Sequence, residues 1–392
     1  MRDDETRRLF VRSMDTLRLS GADKKRLTDA LIAQAARQEA EKETANMKLK
    51  WKRTAILALA AALAIGALSA GAVYLAGRSR TLEAELHMTD EQRQRAEESG
   101  LSSLPDAQRT ADEVTSATGN GVTVTVEQAI VDNYYAMLSF RVDGYSPEDG
   151  KESAFGGTAI RVSGDSEAVT AWSAGFYDGI VVEKGRAARY DDGSPLEYGA
   201  DGELLFRYVS EDGSLHYHID VSAQEPLIGK TLEVFLQDIG TMGKAEFYPE
   251  IKGAWALKWT VRGSDEIRTV YPEQPLGDSG AVLTEADISP ISLRAVYRLS
   301  DEMSDALKNA VDDDEIVPRL LGVRTKNGTL YPYLYKGPGM GGSPGENLYE
   351  TRFAVDRILN PEEIDAFLFL KSYPDTPDEE LTEENLYIVP LA

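Results

Sequence analysis

Val122-Thr123-Val124-Thr125-Val126 alternates a β-branched apolar residue with threonine. A strand sends successive side chains to opposite faces, so this run predicts a strand with its valines on a core. The same period of two returns in Met137 to Val142, Leu204 to Val209, His216 to Val221, Leu232 to Leu236 and Trp255 to Val261. Turn signals separate these runs, among them Asp191-Asp192-Gly193, Asp201-Gly202 and Glu211-Asp212-Gly213. In the last run Trp255, Leu257, Trp259 and Val261 share one face, which predicts that they are buried together.

Downstream, Ser264 to Gly280 reads as a linker because Pro272 and Pro275 interrupt any strand pattern. A second series of strands follows: Ile288 to Leu299, Ile316 to Val323, Leu330 to Tyr335, Tyr349 to Val355, Phe367 to Leu370 and Tyr387 to Leu391, with a short helix over Asp301 to Val311. Asn327-Gly328 reads as a hairpin turn. Many short strands with Gly and Asp turns predict two tandem β-sandwich-like domains, over 111–263 and 281–392, joined by 264–280.

Upstream, Thr54 to Gly77 carries no charged side chain. At the helical rise this length spans a bilayer core, which predicts a transmembrane helix over 54–77 and the lipid bilayer as a partner. Lys48, Lys50, Lys52 and Arg53 precede the run, and only Arg78 and Arg80 follow it. The excess of basic residues places the N-terminus in the cytoplasm and the remainder outside, in a single-pass protein of the cell membrane. The apolar run is too long, and its leader too extended, for a cleaved secretory signal. Residues 1–53 read as a helical cytoplasmic head: Arg7 to Leu19 is one helix, Ser20 to Asp23 breaks it, and a second starts near Lys24. Arg80 to Glu98 reads as a polar helix within an extracellular stalk over 78–110. The expected fold class is therefore a mainly β ectodomain with an α-helical head, one transmembrane helix and a helical stalk.

Composition narrows the function. The chain holds 42 Lys and Arg against 66 Asp and Glu, a net charge of −24. Residues 1–53 hold 14 and 9 of these, a net of +5, which leaves 28 against 57 and a net of −29 for the rest. Nucleic acid is not expected as a partner of so acidic a region. With no cysteine, disulfides, thiol nucleophiles and cysteine-ligated metals are excluded.

Four stretches invite a chemical reading. Gly277-Asp278-Ser279-Gly280 has the form of a serine-nucleophile motif, but such a serine needs a histidine base. The three histidines, His87, His216 and His218, stand in no matching context, so a turn is expected. His216 and His218 share a strand face at a spacing that can bind zinc; no third ligand is evident nearby, and half-exposed structural histidines are expected. Gly337 to Gly345 lacks the Gly-Lys-Ser/Thr ending of a phosphate loop and reads as a flexible surface loop. Asp312-Asp313-Asp314-Glu315 lacks the alternating ligands of a calcium loop. No enzyme, cofactor or metal site is expected.

Leu227-Ile228-Gly229-Lys230, Ile251-Lys252-Gly253-Ala254-Trp255 and Ile288-Ser289-Pro290-Ile291-Ser292-Leu293 occur in that order and spacing in a bacterial family that this chain resembles. The family comprises single-pass membrane proteins similar to anti-sigma factors, with an uncharacterised extracellular β domain often followed by an immunoglobulin-like one. The resemblance implies an immunoglobulin-like C-terminal domain, a sigma factor as cytoplasmic partner, an extracellular signal or ligand, and a role in transcription regulation. The head departs from the zinc-containing type, having neither cysteine nor histidine. A sigma factor would have to be gripped by an amphipathic stripe, and Leu9, Phe10, Met14, Leu17, Leu27 and Leu31 form the candidate. Packing of the two short helices on each other accounts for the same stripe. The alternative function is a surface-anchored interaction protein whose β domains bind a cell-wall polymer or a partner protein.

Overall fold

The computed structural model describes residues 81–148, 150–162, 169–181, 188–190, 193–199, 202–208, 214–243, 246–308, 316–345, 347–372 and 381–391. The described residues start with two short helices, α1 (Thr81–Glu85) and α2 (Asp90–Glu98). Eleven strands follow: β1 (Ser102–Ser103), β2 (Ser116–Gly119), β3 (Val122–Val131), β4 (Tyr135–Asp143), β5 (Glu152–Val162), β6 (Val169–Phe176), β7 (Ile180–Val181), β8 (Arg189–Tyr190), β9 (Leu215–Ala223), β10 (Thr231–Met242) and β11 (Phe247–Thr260). The second series is β12 (Arg268–Val270), β13 (Gln274–Pro275), β14 (Val282–Ile288), β15 (Ser292–Arg298), β16 (Leu320–Thr325), β17 (Leu330–Tyr331), β18 (Tyr335–Gly345), β19 (Leu348–Val355), β20 (Ile364–Leu370) and β21 (Leu386–Pro390), with α3 (Asp301–Leu307) after β15.

Each series makes two facing sheets, and β7 and β8 of the first series pair with each other as a separate ribbon. In the first, β1-β3-β4-β9-β6, with β2 also on β3, faces β11-β10-β5. Val122, Val124, Val126, Leu138, Phe140, Ile219, Val221, Trp255 and Trp259 fill the space between them. Trp255 donates its indole N–H to the Val122 carbonyl at 3.0 Å, which gives its polar atom a partner inside the core. In the second, β12-β14-β15-β19-β18, with β13 on β14, faces β17-β16-β20-β21 around Leu283, Leu293, Tyr297, Phe353, Phe367 and Phe369. All pairing is antiparallel, as the short connections require.

The expectation of an α-helical head, a transmembrane helix and a single-pass location in the cell membrane is corrected. Among the described residues no helix is long and apolar enough to cross a membrane. The three described helices have 5, 9 and 7 residues, a fraction of the length a bilayer demands. The head and the run Thr54 to Gly77 lie outside the described residues.

The helical stalk is corrected as well. Thr89 caps α2 through a capping box with Gln92, and His87 adopts φ 51, so the predicted single helix is two. Neither stands free. Leu82, Leu86, Met88, Ala96 and Leu101 are buried with Ile130, Tyr135 and Met137 of the first sandwich and with Ile291, Ala354 and Ile358 of the second. A buried leucine contributes about 1.5–3 kcal/mol relative to exposure, so Leu82 and Leu86, both 0% exposed, are strong reasons for the segment to dock.

The two sandwiches also meet directly. Asp132, 0% exposed, accepts the backbone N–H groups of Tyr134 (2.8 Å) and Tyr135 (2.7 Å) on one oxygen. Its other oxygen accepts the hydroxyls of Ser289 and Ser292. Four donors on one buried carboxylate satisfy what burial would otherwise penalise. The Ser289-Pro290-Ile291-Ser292 motif is thus one half of the joint. Ser264 to Gly280, expected as a linker, contributes β12 and β13 to the second sandwich.

Candidate functional site at the junction

β9 is buried on both faces, which its alternating sequence does not announce. Leu215, Tyr217, Ile219 and Val221 enter the sandwich core. His216, His218, Asp220 and Ser222 alternate with them and face the other way, beneath α1 and the second sandwich. The histidines expected to be half-exposed are 4% and 8% exposed.

Each histidine has a carboxylate. His216 Nδ1 lies 3.1 Å from Glu127, the residue that the register shift between Val126 and Gln128 adds to β3. His218 Nδ1 lies 2.8 Å from Glu85, and its Nε2 lies 2.8 Å from the Thr81 hydroxyl. The carboxylate can only accept, so Nδ1 carries a proton and the ring orientation is fixed from both ends. Tyr177 stacks on the same ring, with centroids 5.2 Å apart.

The second sandwich supplies the cation. Lys336 of β18 sits 2.5 Å from the other Glu85 oxygen and 3.7 Å from Asp220. Burial opposes the charge on Glu85, but Lys336 and His218 outweigh it and hold the carboxyl far below the ordinary glutamate range. Burial likewise works against the lysine charge; Asp220 and Glu85 overcome it and raise the Lys336 ammonium. Asp220 goes up instead, because burial and the Glu85 charge outweigh Lys336. Asp178 nearby is also pushed up, chiefly by burial. Glu85 is therefore the hub, touching α1, the first sandwich and the second at once.

Beside the hub lies a cavity of about 190 Å³ lined by Glu85, Ser173, Gly175, Tyr177, Asp178, His218 and Asp220. It exists because β6 faces it with small residues. Ser173 pairs opposite Asp220, and Gly175 opposite His218. A Cβ at Gly175 would meet no atom within 4 Å.

Among the described residues no group of three or more His, Cys, Asp and Glu is placed to hold a metal ion. The groups gathered at the hub are charged and hydroxyl side chains: His218 faces Glu85 through Nδ1 and the Thr81 hydroxyl through Nε2, and Ser173 lines the cavity beside them.

Of the residues singled out in the sequence, Leu9, Phe10, Met14, Leu17, Leu27, Leu31 and the run Asp312 to Glu315 lie outside the described residues. Ser279 sits in a turn, where its oxygen accepts the Ala281 N–H at 3.2 Å. Gly277 has φ 56, and the Tyr387 ring lies where its Cβ would be. The glycine-rich Gly337 to Gly345 is strand and not loop: β18 pairs with β19, with register shifts between Lys336 and Met340 and between Gly342 and Gly345 that accommodate its prolines. Sequence reading passed over Glu85, Asp220 and Lys336. The one local hint was Leu82 and Leu86, an apolar pair at helical spacing in an otherwise polar segment.

No family model matches the chain, and no curated protein matches it. A solved structure described as the crystal structure of the conserved domain protein from Bacillus anthracis is similar at 14% identity and a TM-score of 0.38, covering 70% of this chain and 83% of that one.

Proposed function

We propose that this protein is a regulator of the anti-sigma-factor type. In this reading residues 1–53 hold a sigma factor through Leu9, Phe10, Met14, Leu17, Leu27 and Leu31, and the two β domains receive the signal that ends the hold. The observation that carries the reading is the way the chain enters the β unit. Thr81 and Glu85 are bonded to His218, and Glu85 is also bonded to Lys336. A change at the junction therefore acts on the segment that leads back to residues 1–53. In this reading the connection makes the β unit a receiver for the segment before it.

The test is to purify the full chain from its own cell and probe the preparation for sigma factors, with Phe10→Asp/Leu17→Asp as the comparison. A sigma factor in the wild-type preparation and its loss from the double variant is the expected result. A wild-type preparation without any sigma factor overturns the reading. It would leave the alternative, an interaction protein whose β domains bind a polymer or a partner protein, which the exposed aromatic rings of Trp172, Tyr198, Tyr248 and Tyr271 favour.

A further inference from the structure

Among the described residues the sheet beside the acidic cavity ends on β6, with β18 of the second sandwich nearby. Among the described residues β6 pairs with β9 along one side and with no strand along the other. An unpaired strand edge is a template for a further strand, and sheets usually guard it with charge, proline or a bulge. The sequence of β6, Val-Thr-Ala-Trp-Ser-Ala-Gly-Phe, holds no charge and no proline, and its one register shift lies at its start, between Val169 and Ala171, leaving Trp172 to Phe176 regular. Trp172 is 43% exposed, and Ala174 and Gly175 are exposed as well.

The two faces of that edge differ in chemistry. Trp172, Ala174 and Phe176 lie opposite Val221, Ile219 and Tyr217 and continue the apolar inner face. Ser173 and Gly175 open onto the cavity, where Glu85, Asp178 and Asp220 crowd around Lys336 and His218. Three carboxylates face one lysine and one histidine, and burial already pushes two of the three, Asp178 and Asp220, toward their protonated forms. A strand laid along β6 would send alternate side chains to these two faces.

We propose that β6 receives an extended segment of a partner protein by strand addition, with a lysine or arginine of that segment in the cavity and its apolar neighbours against Trp172 and Ala174. Main-chain pairing supplies affinity and the basic side chain supplies selectivity. A second copy of this chain is a poor occupant, because pairing two β6 edges would bring two acidic cavities together within a region of net charge −29. The proposal rests on the reading of the β unit as a receiver and names what it receives. The incoming cation would contact Glu85, so occupancy is felt by α1.

The probe is a short synthetic peptide of alternating threonine and valine with a central lysine, N-methylated along one edge so that it cannot stack on itself. Full-length protein is titrated with it and followed by tryptophan fluorescence, with Trp172→Phe assigning the signal. Replacing the peptide lysine by norleucine should weaken binding by roughly tenfold, and glutamate should weaken it further. Gly175→Lys adds a basic side chain at a position where a Cβ meets no atom within 4 Å; it should abolish binding, while Gly175→Ser should keep it. Equal affinity for the lysine and norleucine peptides, undiminished binding to Gly175→Lys, or no binding to the wild type overturns the proposal. So does wild-type self-association that Gly175→Lys abolishes, since the occupant is then a second copy. These readouts need no sigma factor, so their failure is distinct from failure of the sigma-factor preparation.

Discussion

Replacing Lys336 by Met keeps an unbranched apolar stem one atom shorter and removes the ammonium that faces Glu85 and Asp220. Breaking a buried ion pair from one side costs about 3–5 kcal/mol when the remaining charge is fully enclosed. Here the side chains are 12% exposed at Lys336, 32% at Glu85 and 18% at Asp220. Water reaches the abandoned carboxylates, so the cost comes down to about 2 kcal/mol. At about 2–4 °C per kcal/mol for a domain of this size, the melting temperature should fall by about 4–8 °C at neutral pH. The pH dependence has a definite sign. Glu85 is more acidic folded than unfolded, so its contribution is complete above its ordinary value of 4.5 and is lost as pH falls below it. The variant has already given up the Lys336 share of that contribution and keeps only the His218 share, and protonation also relieves the repulsion between its Glu85 and Asp220. The gap between wild type and variant should therefore narrow at about pH 4. Scanning calorimetry at the two pH values decides. A fall below about 1 °C at neutral pH, or a gap that is no smaller in acid, refutes Glu85–Lys336 as the clamp.

Other expectations follow from named contacts. Glu113 accepts the N–H groups of Thr110 and Thr260 and pairs with Arg262, and although burial opposes its charge these donors lower it to about 2. Its depressed value means that its stabilisation is present above 4.5 and lost between there and about 2; with water reaching the Arg262 side of the pair, Glu113→Gln should cost about 1–2 kcal/mol at neutral pH in urea unfolding, with the difference shrinking through that window. Asp132→Ala strands two serine hydroxyls and two backbone N–H groups in the joint and should cost about 3–5 kcal/mol, splitting one calorimetric transition into two. Gly277→Ala should lower stability by about 1–3 kcal/mol because the Tyr387 ring must move and φ is left-handed, whereas Ser279→Ala should stay within about 1 kcal/mol. Arg298→Met removes a salt bridge whose partners are 53% and 59% exposed and should change the melting temperature by less than about 2 °C.

What the sequence made legible was set by how local the cause is. Alternation in Val122 to Val126 and in Trp255 to Val261 sufficed to place β3 and β11 and to put both tryptophans inside, because the pleat alone dictates facing. His216, His218 and Asp220 obeyed the same alternation and still misled. Polar residues on one face of a strand look solvated, and here that face is roofed by α1. Glu85 and Lys336 are 251 positions apart, and no periodicity carries a pairing at that range. Prolines pointed to loops at Ser264 to Gly280 and Gly337 to Gly345, yet β13 and β18 are strands at sheet edges, where a missing N–H is tolerated. The stripe Leu9 to Leu31 lies outside the described residues, so the sigma-factor reading stands on the clamp that leads to it.

The attachment of α1 and α2 has a mechanical meaning. Residues 81–98 are held to the sandwiches through side chains: Thr81, Glu83, Glu85, Gln92 and their apolar neighbours. The first backbone tie to a distant strand comes at Leu101, whose carbonyl accepts the Val131 N–H at 2.9 Å. Tension applied to the chain before Thr81 would therefore peel two short helices away contact by contact, and then stall at a ladder that must be sheared. The molecule has a weak seam followed by a strong one. The weak seam is the one that covers His218.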